Sequence, residues 1–268
     1  MLLLFRILLR LPLPLGLRIA VWRIARRFCD LPRYRVGARF TMLVDFANLL
    51  DRMIVEGVNL NPFFTSAVRQ YAGTPGDVIL DIGANHGFMS LYAKAVCPRA
   101  LVIAVEPSHR EVRRLLRNLD VAGMSLPVLV AAAGSQMIGL RLSPTGNMGM
   151  NTTQTAADGG AAVPVSGLHL GAFFGDDVLR RARVVKLDVE GSELAALREL
   201  PLGEMQRAVF VVECLADTPG HAEATAAVYE LMHSHGFVPT YRPVGREDWE
   251  EVFYSPRHAA PPVFEAEL

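Results

Sequence analysis

The stretch VILDIGANHGFMSLY, residues 78–92, decides the fold of this protein. An apolar run leads into Asp81, a turn containing Gly83 and Gly87 follows, and an apolar segment suited to a helix comes next. A strand, a glycine-containing turn and a helix form the unit that opens a doubly wound α/β sheet, in which ligands bind beyond the carboxyl ends of the strands. The turn after this strand is therefore the expected ligand site.

Strand-like and helix-like segments alternate along the chain from about residue 76. This alternation predicts an α/β fold with a Rossmann-like, mostly parallel, doubly wound sheet. Residues 135–170 predict an extra β-element with a long loop, and residues 241–268 predict an antiparallel edge strand and a tail. The central strands that we predict are 77–83, 100–107, 126–134, 183–190 and 208–215.

The composition excludes some classes of protein. The chain is 51% hydrophobic and 20% charged, so it can bury a sizeable core and is not disordered. Its formal net charge is zero, which argues against a protein that mainly binds nucleic acid. The three cysteines lie far apart and form no CxxC pair, so they indicate neither a disulfide framework nor a metal site, and they favour a reducing cytoplasm.

The first 37 residues are apolar and rich in arginine, and Pro12 and Pro14 divide them into short helices. No uncharged run there approaches the ~20 residues that span a bilayer. Two interpretations stay open: a helical cap on the main domain, or an interfacial segment with its arginines at lipid headgroups. We predict a helical extension over 1–37, a main domain over 38–250, and an edge strand and tail over 251–268. The protein is expected to be cytoplasmic or peripheral to the inner face of the membrane.

An acid directly before the glycine-containing turn separates two kinds of cofactor. A dinucleotide fold uses GxGxxG there, because backbone amides and a helix N-terminus must face a pyrophosphate. In this sequence Asn85 replaces the middle glycine, and Asp81 would repel a pyrophosphate. A cofactor with an ammonium group and no phosphate suits Asp81, and S-adenosylmethionine is such a molecule.

Glu106 ends the second predicted strand, where an acid can accept hydrogen bonds from both hydroxyls of a ribose. NAD and S-adenosylmethionine share this ribose, so Glu106 alone does not separate the two cofactors. An NAD(P)-dependent oxidoreductase therefore stays as an alternative, which Asp81 and Asn85 disfavour. The cofactor-binding residues that we predict are Asp81, Gly83, Ala84, Asn85, Gly87, Glu106 and Ala133.

Three motifs occur in the order GDVILDIGANHGFMSLYA, VIAVEPS and VVKLDVEGSELAAL. Together they resemble the FkbM family of class I S-adenosylmethionine-dependent methyltransferases, and the similarity covers roughly residues 38–215. The resemblance implies a class I methyltransferase fold for the main domain, and methyl transfer to a hydroxyl on a sugar or a polyketide-type product. Two positions depart from the family pattern: Asn61, where an acid often precedes the proline, and His169, where the usual residue is aspartate.

The fourth predicted strand carries the catalytic candidates. Alternation along a strand puts Lys186, Asp188 and Glu190 on one face, where charges are costly unless they are paired or used. An alcohol nucleophile gains from a general base. We therefore predict Asp188 as general base or metal ligand, Glu190 as a residue that orients substrate or cofactor, and Lys186 as the residue that sets the local charge. The alternative is that Lys186 simply pairs with one of the two acids.

Two further residues near the same end of the sheet are candidates. His86 lies in the cofactor turn and is predicted either as a general base that faces the substrate or as a ring packed over the helix start. Glu213 ends the fifth predicted strand. Asp188 and Glu213 are therefore candidate ligands for Mg²⁺, which prefers oxygen.

These observations predict an S-adenosylmethionine-dependent methyltransferase that acts on a hydroxyl of a carbohydrate, lipid-linked or polyketide-type acceptor. The expected partners are a small-molecule, glycan or lipid acceptor and, through the N-terminus, a membrane surface; no nucleic acid is expected. Besides the oxidoreductase, the alternative is a non-enzymatic membrane-surface or assembly protein that keeps the fold.

Overall fold

The computed structural model describes residues 15–28, 31–58, 60–134, 138–141, 152–154, 163–240 and 248–263. The helices are α1 (Leu15–Phe28), α2 (Leu49–Glu56), α3 (Pro62–Tyr71), α4 (Phe88–Val96), α5 (His109–Ala122), α6 (Leu170–Leu179), α7 (Glu193–Arg198) and α8 (Pro219–Ser234). The strands are β1 (Arg33–Val36), β2 (Phe40–Leu43), β3 (Val78–Ile82), β4 (Leu101–Val105), β5 (Val128–Leu129), β6 (Ala132–Ala133), β7 (Ile138–Arg141), β8 (Thr152–Gln154), β9 (Val163–Val165), β10 (Gly167–Leu168), β11 (Ala182–Leu187), β12 (Val209–Leu215), β13 (Val238–Pro239) and β14 (Asp248–Tyr254).

A seven-stranded sheet with the order β13-β14-β12-β11-β3-β4-β5 forms the centre of the protein. Strands β12, β11, β3, β4 and β5 are parallel, and β14 pairs antiparallel with both β12 and β13. The chain leaves β3 toward β4 and β5, and later adds β11 on the other side of β3. The strand order therefore reverses between β3 and β11, which is where ligands bind in open α/β sheets. The predicted doubly wound, mostly parallel α/β fold is confirmed.

Two hydrophobic cores cover the two faces of this sheet. Within β3, Ile79 belongs to one core, and Val78 and Leu80 belong to the other, as the alternation of a strand requires. Helices α3 and α4 pack on the first face, and α6, α7 and α8 pack on the second. The sheet is thus buried on both faces, which explains why its strands are nearly continuous apolar runs.

The third predicted strand, residues 126–134, is divided in the structure. Only β5 joins the central sheet, whereas β6 pairs with β10, with Ala132 opposite Gly167. The extra β-element predicted in 135–170 includes an antiparallel sheet of the order β8-β7-β9. The rest of the predicted long loop between these strands lies outside the described residues.

The antiparallel strand at the end of the chain is β14, and it lies one position inside the sheet because β13 pairs on its outer side. The predicted boundary between residues 250 and 251 falls within β14. The predicted boundary between residues 37 and 38 falls in the turn of the hairpin β1–β2. The first boundary therefore divides β14, which pairs with β12, and the second separates β1 from its partner β2.

The fourth predicted strand, 183–190, ends earlier than expected, at Leu187. Glu190 and Gly191 have left-handed backbone conformations, with φ of 54° and 95°. A strand cannot continue through this geometry, so alternation does not place Glu190 on the face that carries Lys186. Ser192, which directly precedes α7, makes no side-chain capping hydrogen bond; the Glu193 carboxylate accepts from the amides of Val189 and Gly191.

Helix α1 packs on the main domain through Val21 and Trp22, which are both buried. The Trp22 ring lies 5.0 Å from the ring of Phe46, and the Arg52 guanidinium lies 6.0 Å from the Trp22 ring. Leu17 and Ile24 of the same helix are exposed. No helix among the described residues is long and apolar enough to cross a membrane. The membrane-surface interpretation stays a prediction, and residues 1–14 lie outside the described part.

Candidate active site

A cavity of about 600 Å³ opens at the carboxyl ends of β3, β4, β11 and β12. Its position is the place where the strand order reverses. One wall is apolar and comes from the segment upstream of the central sheet, including Leu50, Met53, Leu60 and Phe63. The other residues that line it include Asp81, Gly83, Ala84, Asn85, His86, Glu106, Ala133, Lys186, Asp188, Glu190, Glu213, Asp248 and Glu250.

The turn after β3 is held against β4 and β11 at close range. The amides of Gly83 and Ala84 both donate to the carbonyl of Val105, at 2.9 and 3.0 Å. Gly83 has a φ of 85°, and a Cβ atom there would lie 1.7 Å from the backbone oxygen of Asp188. Glycine is therefore required at position 83, since any side chain would push the turn away from the end of β11.

Asp81 is fully buried at the end of β3 and lines the cavity. Its Oδ2 accepts a hydrogen bond of 2.5 Å from the Ser90 hydroxyl of α4. Its Oδ1 lies 3.9 Å from Lys186 Nζ and has no hydrogen-bond partner among the described residues. Burial raises the pKa of Asp81, and the Lys186 ammonium opposes that rise. A buried acceptor without a donor is costly, and an ammonium group in the cavity would remove that cost.

Glu106 follows β4 and joins the cofactor turn to the next helix. One carboxylate oxygen accepts from the amide of Asn85 and the other from the amide of Ser108, each at 2.8 Å. Burial raises the pKa of Glu106 to about 7, although these two amides lower it. A carboxylate has lone pairs beyond those two bonds, so Glu106 retains capacity for the hydroxyls of a ribose.

The remaining residues predicted to bind the cofactor differ in whether they line the cavity. Ala84, Asn85 and Ala133 line the cavity, whereas Gly87 is not among the lining residues. A Cβ atom on Gly87 would lie 2.7 Å from Leu115 Cγ of α5. The missing side chain of Gly87 thus makes room for helix packing, and the contact of Gly87 with the cofactor stays a prediction.

Lys186 and Asp188 form an ion pair at the end of β11. Lys186 Nζ donates to Asp188 Oδ2 at 2.7 Å, so the pairing that the sequence left as an alternative is present. Lys186 is buried, which lowers its pKa, but Asp188 and Asp81 outweigh burial and hold that pKa above its ordinary value. Lys186 thus lies between the acid of the cofactor turn and the acid predicted as the general base.

Three carboxylates converge on this side of the cavity. One ligand atom each from Asp188, Glu190 and Glu213 lies within 4.8 Å of the other two. Burial raises the pKa of Glu190 to about 8, and the negative charge of Asp188 adds to the rise. Burial and the same neighbours raise the pKa of Glu213 as well. The prediction that Asp188 and Glu213 bind Mg²⁺ stays a prediction.

His86 lines the cavity, but both of its ring nitrogens contact protein oxygens. Nε2 lies 3.0 Å from Asp51 Oδ1, and Nδ1 lies 3.2 Å from Asn85 Oδ1. Asp51 also pairs with Arg114 of α5. Both ring nitrogens therefore lie against protein oxygens, and the role of His86 as a general base that faces the substrate stays a prediction. Asp51, which lies beside Nε2, belongs to α2.

Sequence reasoning missed two acids that line the cavity, Asp248 and Glu250 of β14. Glu250 lies directly opposite Glu213 in the antiparallel pair β12–β14. Asn61 caps α3 through its Oδ1, which accepts from the Phe64 amide at 2.7 Å, and its Nδ2 donates to Glu250 Oε1. The departure at Asn61 was the available signal, because an amide can donate to a carboxylate whereas an ionised acid cannot.

Comparisons of the sequence with known proteins give two methyltransferase matches. The family described as the methyltransferase FkbM domain matches residues 81–239. A protein named Methyltransferase 1 from Beauveria bassiana (strain ARSEF 2860) is 28% identical over 226 residues, which cover 76% of this chain and 88% of that protein.

Two fibrillarins are among the solved structures to which the chain is similar. The Methanococcus jannaschii fibrillarin pre-rRNA processing protein aligns with a TM-score of 0.44 and 13% identity, over 84% of this chain and 83% of that one. Aeropyrum pernix fibrillarin in complex with natively bound S-adenosyl-L-methionine aligns with a TM-score of 0.40 and 14% identity, over 70% and 72% of the two chains. The family match, by contrast, covers more than half of the residues and reaches from Asp81 to the strand after α8, and this chain therefore belongs to the methyltransferase FkbM domain family.

Proposed function

We propose that this methyltransferase transfers the methyl group of S-adenosylmethionine to a hydroxyl of a carbohydrate, lipid-linked or polyketide-type acceptor. The observation that carries the cofactor assignment is the buried Asp81 Oδ1, which lines the cavity without a hydrogen-bond donor among the described residues. The ammonium group of S-adenosylmethionine is such a donor, and the cofactor has no phosphate that Asp81 would repel. Membership of a methyltransferase family removes the main support for the oxidoreductase alternative.

The residues of the cavity divide into a cofactor side and an acceptor side. Asp81 would hold the ammonium, Glu106 would hold the ribose hydroxyls, and the small residues Gly83, Ala84 and Ala133 leave room for the cofactor. When bound, S-adenosylmethionine supplies an electrophilic methyl group on a sulfonium. The chain's own contribution is to hold the acceptor hydroxyl in line with it and to exclude water.

Asp188 is the residue that we assign to the proton of the acceptor hydroxyl. Its Oδ2 is paired with Lys186, and a carboxylate with two oxygens keeps capacity to accept the hydroxyl proton. Before the proton is transferred, the buried Lys186 ammonium balances the charge of the ionised Asp188 carboxylate, whose side chain is 35% exposed. Glu190 and Glu250, both with a pKa of about 8, supply further hydrogen-bonding groups for the acceptor.

Calorimetric titration with S-adenosylhomocysteine and, separately, NADH tests the cofactor. We expect micromolar binding of the first and none of the second. The variant Asp81→Asn should bind S-adenosylhomocysteine at least tenfold more weakly, because a neutral amide cannot form an ion pair with an ammonium group. Binding of NADH alone would contradict the proposal.

Turnover with labelled S-adenosylmethionine and a panel of carbohydrate, lipid-linked and polyketide alcohols tests the acceptor class and the base. Asp188→Asn is expected to bind S-adenosylhomocysteine normally and to lose at least ~100-fold in turnover, which is the size of general-base catalysis. Retained turnover in this variant would show that Asp188 is not the base.

A further inference from the structure

We infer that Asp51 is a positioning residue that holds the cofactor turn through His86, an inference that rests on the proposed function. Asp51 belongs to α2, upstream of the part of the chain that the methyltransferase family matches, residues 81–239. Helix α2 thereby contributes to the cofactor site.

Asp51 connects three separate parts of the protein. Its side chain is fully buried. Its Oδ1 lies 3.0 Å from His86 Nε2 of the cofactor turn, and its Oδ2 accepts from the Asp45 amide at 2.6 Å and pairs with Arg114 of α5. Burial raises the pKa of Asp51, but His86 and Arg114 outweigh burial and lower it, as expected for a carboxylate that holds two basic groups.

The contacts continue from His86 into the cofactor site. The His86 amide donates to Asn85 Oδ1 at 2.7 Å, and the Asn85 amide donates to Glu106 Oε2 at 2.8 Å. Asn118 of α5 fixes the same turn, since its Nδ2 donates to the His86 carbonyl at 2.8 Å. A series of four residues, Asp51, His86, Asn85 and Glu106, therefore ends on the acid assigned to the ribose.

The backbone of the turn needs this support. Asn85 has a φ of 51°, a left-handed conformation that is uncommon outside glycine. Such a conformation persists only where the surrounding structure holds it. Without the Asp51 carboxylate, the turn can relax, and Asn85 and Glu106 move away from the geometry that the cofactor needs.

The isosteric variant Asp51→Asn tests this inference. We expect its affinity for S-adenosylhomocysteine, measured by calorimetry well below the melting temperature, to fall by about tenfold. The affinity of the folded protein is a readout that a purely structural role would not change. Asp77→Asn is the matched control, because Asp77 is also buried and pairs with Arg183 at 3.0 Å, but at the opposite end of β3. This control is expected to lower the melting temperature and to keep the affinity within about twofold.

A double-mutant cycle tests the route through His86. His86→Gln is expected to weaken binding, and Asp51→Asn is expected to add little in the His86→Gln background, because both changes break one connection. Should Asp51→Asn fail to fold, Asp51→Glu keeps the charge, displaces the carboxylate and carries the same expectation. Normal affinity in a folded Asp51 variant, or fully additive losses, would overturn the inference. A wild-type protein that does not bind S-adenosylhomocysteine would overturn the proposed function itself and this inference with it.

Discussion

Four glutamates of the cavity hold their protons more strongly than ordinary carboxylic acids do: Glu106, Glu190, Glu213 and Glu250. Glu106 has a pKa of about 7, and Glu190 and Glu250 have pKa values of about 8, against an ordinary value of 4.5. Burial is the largest cause in each case, and neighbouring carboxylates add to it. Carboxylic acids with strongly raised pKa values are typical of active sites.

These raised pKa values predict how the stability of the ligand-free protein depends on pH. Between pH 4.5 and about 8 the folded protein binds more protons than the unfolded chain at Glu106, Glu190 and Glu250, so stability falls as the pH rises through this interval. Melting temperatures measured from about pH 5 to about pH 8 should therefore decrease. Glu250→Gln should flatten the profile, whereas Glu223→Gln on the exposed surface of α8 should not. A profile that rises with pH in the wild type would contradict the prediction.

At the scale of elements, the site depends on the close approach of the cofactor turn to the end of β11. The turn after β3 and the residues after Leu187 both leave regular structure through left-handed conformations, at Gly83, Asn85, Glu190 and Gly191. The parallel pairing of β3 and β11 places Asp81 directly beside Lys186, and Asp188 follows the last residue of β11. Side chains alternate between the two faces of the sheet only as far as Leu187, where β11 ends. Glu190 has a left-handed backbone, so its side chain does not follow that alternation.

Gly83→Ala tests this contact between elements. A Cβ atom at 1.7 Å from the Asp188 oxygen must displace one of the two segments, so we expect a loss of about 3 kcal/mol of stability and loss of S-adenosylhomocysteine binding. Chemical denaturation and calorimetry measure the two effects. Gly203→Ala is the control, since no atom lies within 4 Å of the added Cβ there. Normal cofactor affinity in Gly83→Ala would disprove the requirement for glycine.

At the scale of the whole molecule, the upstream segment and the central sheet form one functional unit. The hairpin β1–β2 contacts α5 through the Leu43 amide, which donates to Asn118 Oδ1 at 2.8 Å. Helix α1 adds Trp22 to the same core. The upstream segment thus belongs to the first hydrophobic core and supplies the apolar wall of the cavity.

Substitution of Trp22 measures how firmly α1 belongs to this unit. Trp22→Ala removes a large side chain that is 5% exposed, so we expect it to lower the free energy of unfolding by about 3 kcal/mol. Ile24→Ala, at a side chain that is 51% exposed on the same helix, should change it by about 0.5 kcal/mol or less. Equal effects of the two substitutions would mean that α1 does not pack stably on the domain.

The sequence by itself determined the alternation of central strands and helices after residue 76, and it placed Asp81, Glu106, Lys186 and Asp188 at or near the ends of those strands. These follow from local patterns: apolar runs mark buried strands, and the residue at a strand's carboxyl end lies at the edge where ligands bind. Patterns of that kind can be recognised from residues that are close together in the chain. Family resemblance rests on the same stretches, and for that reason it pointed to the correct family.

Only the tertiary structure decided the partner of His86, the contact between Asn61 and Glu250, and the end of β11 at Leu187. Asn61 and Glu250 are 189 residues apart in the chain, and Asp51 and Arg114 are 63 apart. Contacts at such separations depend on how helices pack on the sheet, which no local periodicity encodes. Burial then set the pKa values of the acids in the cavity, because the cost of an ionised carboxylate depends on the atoms that fold around it.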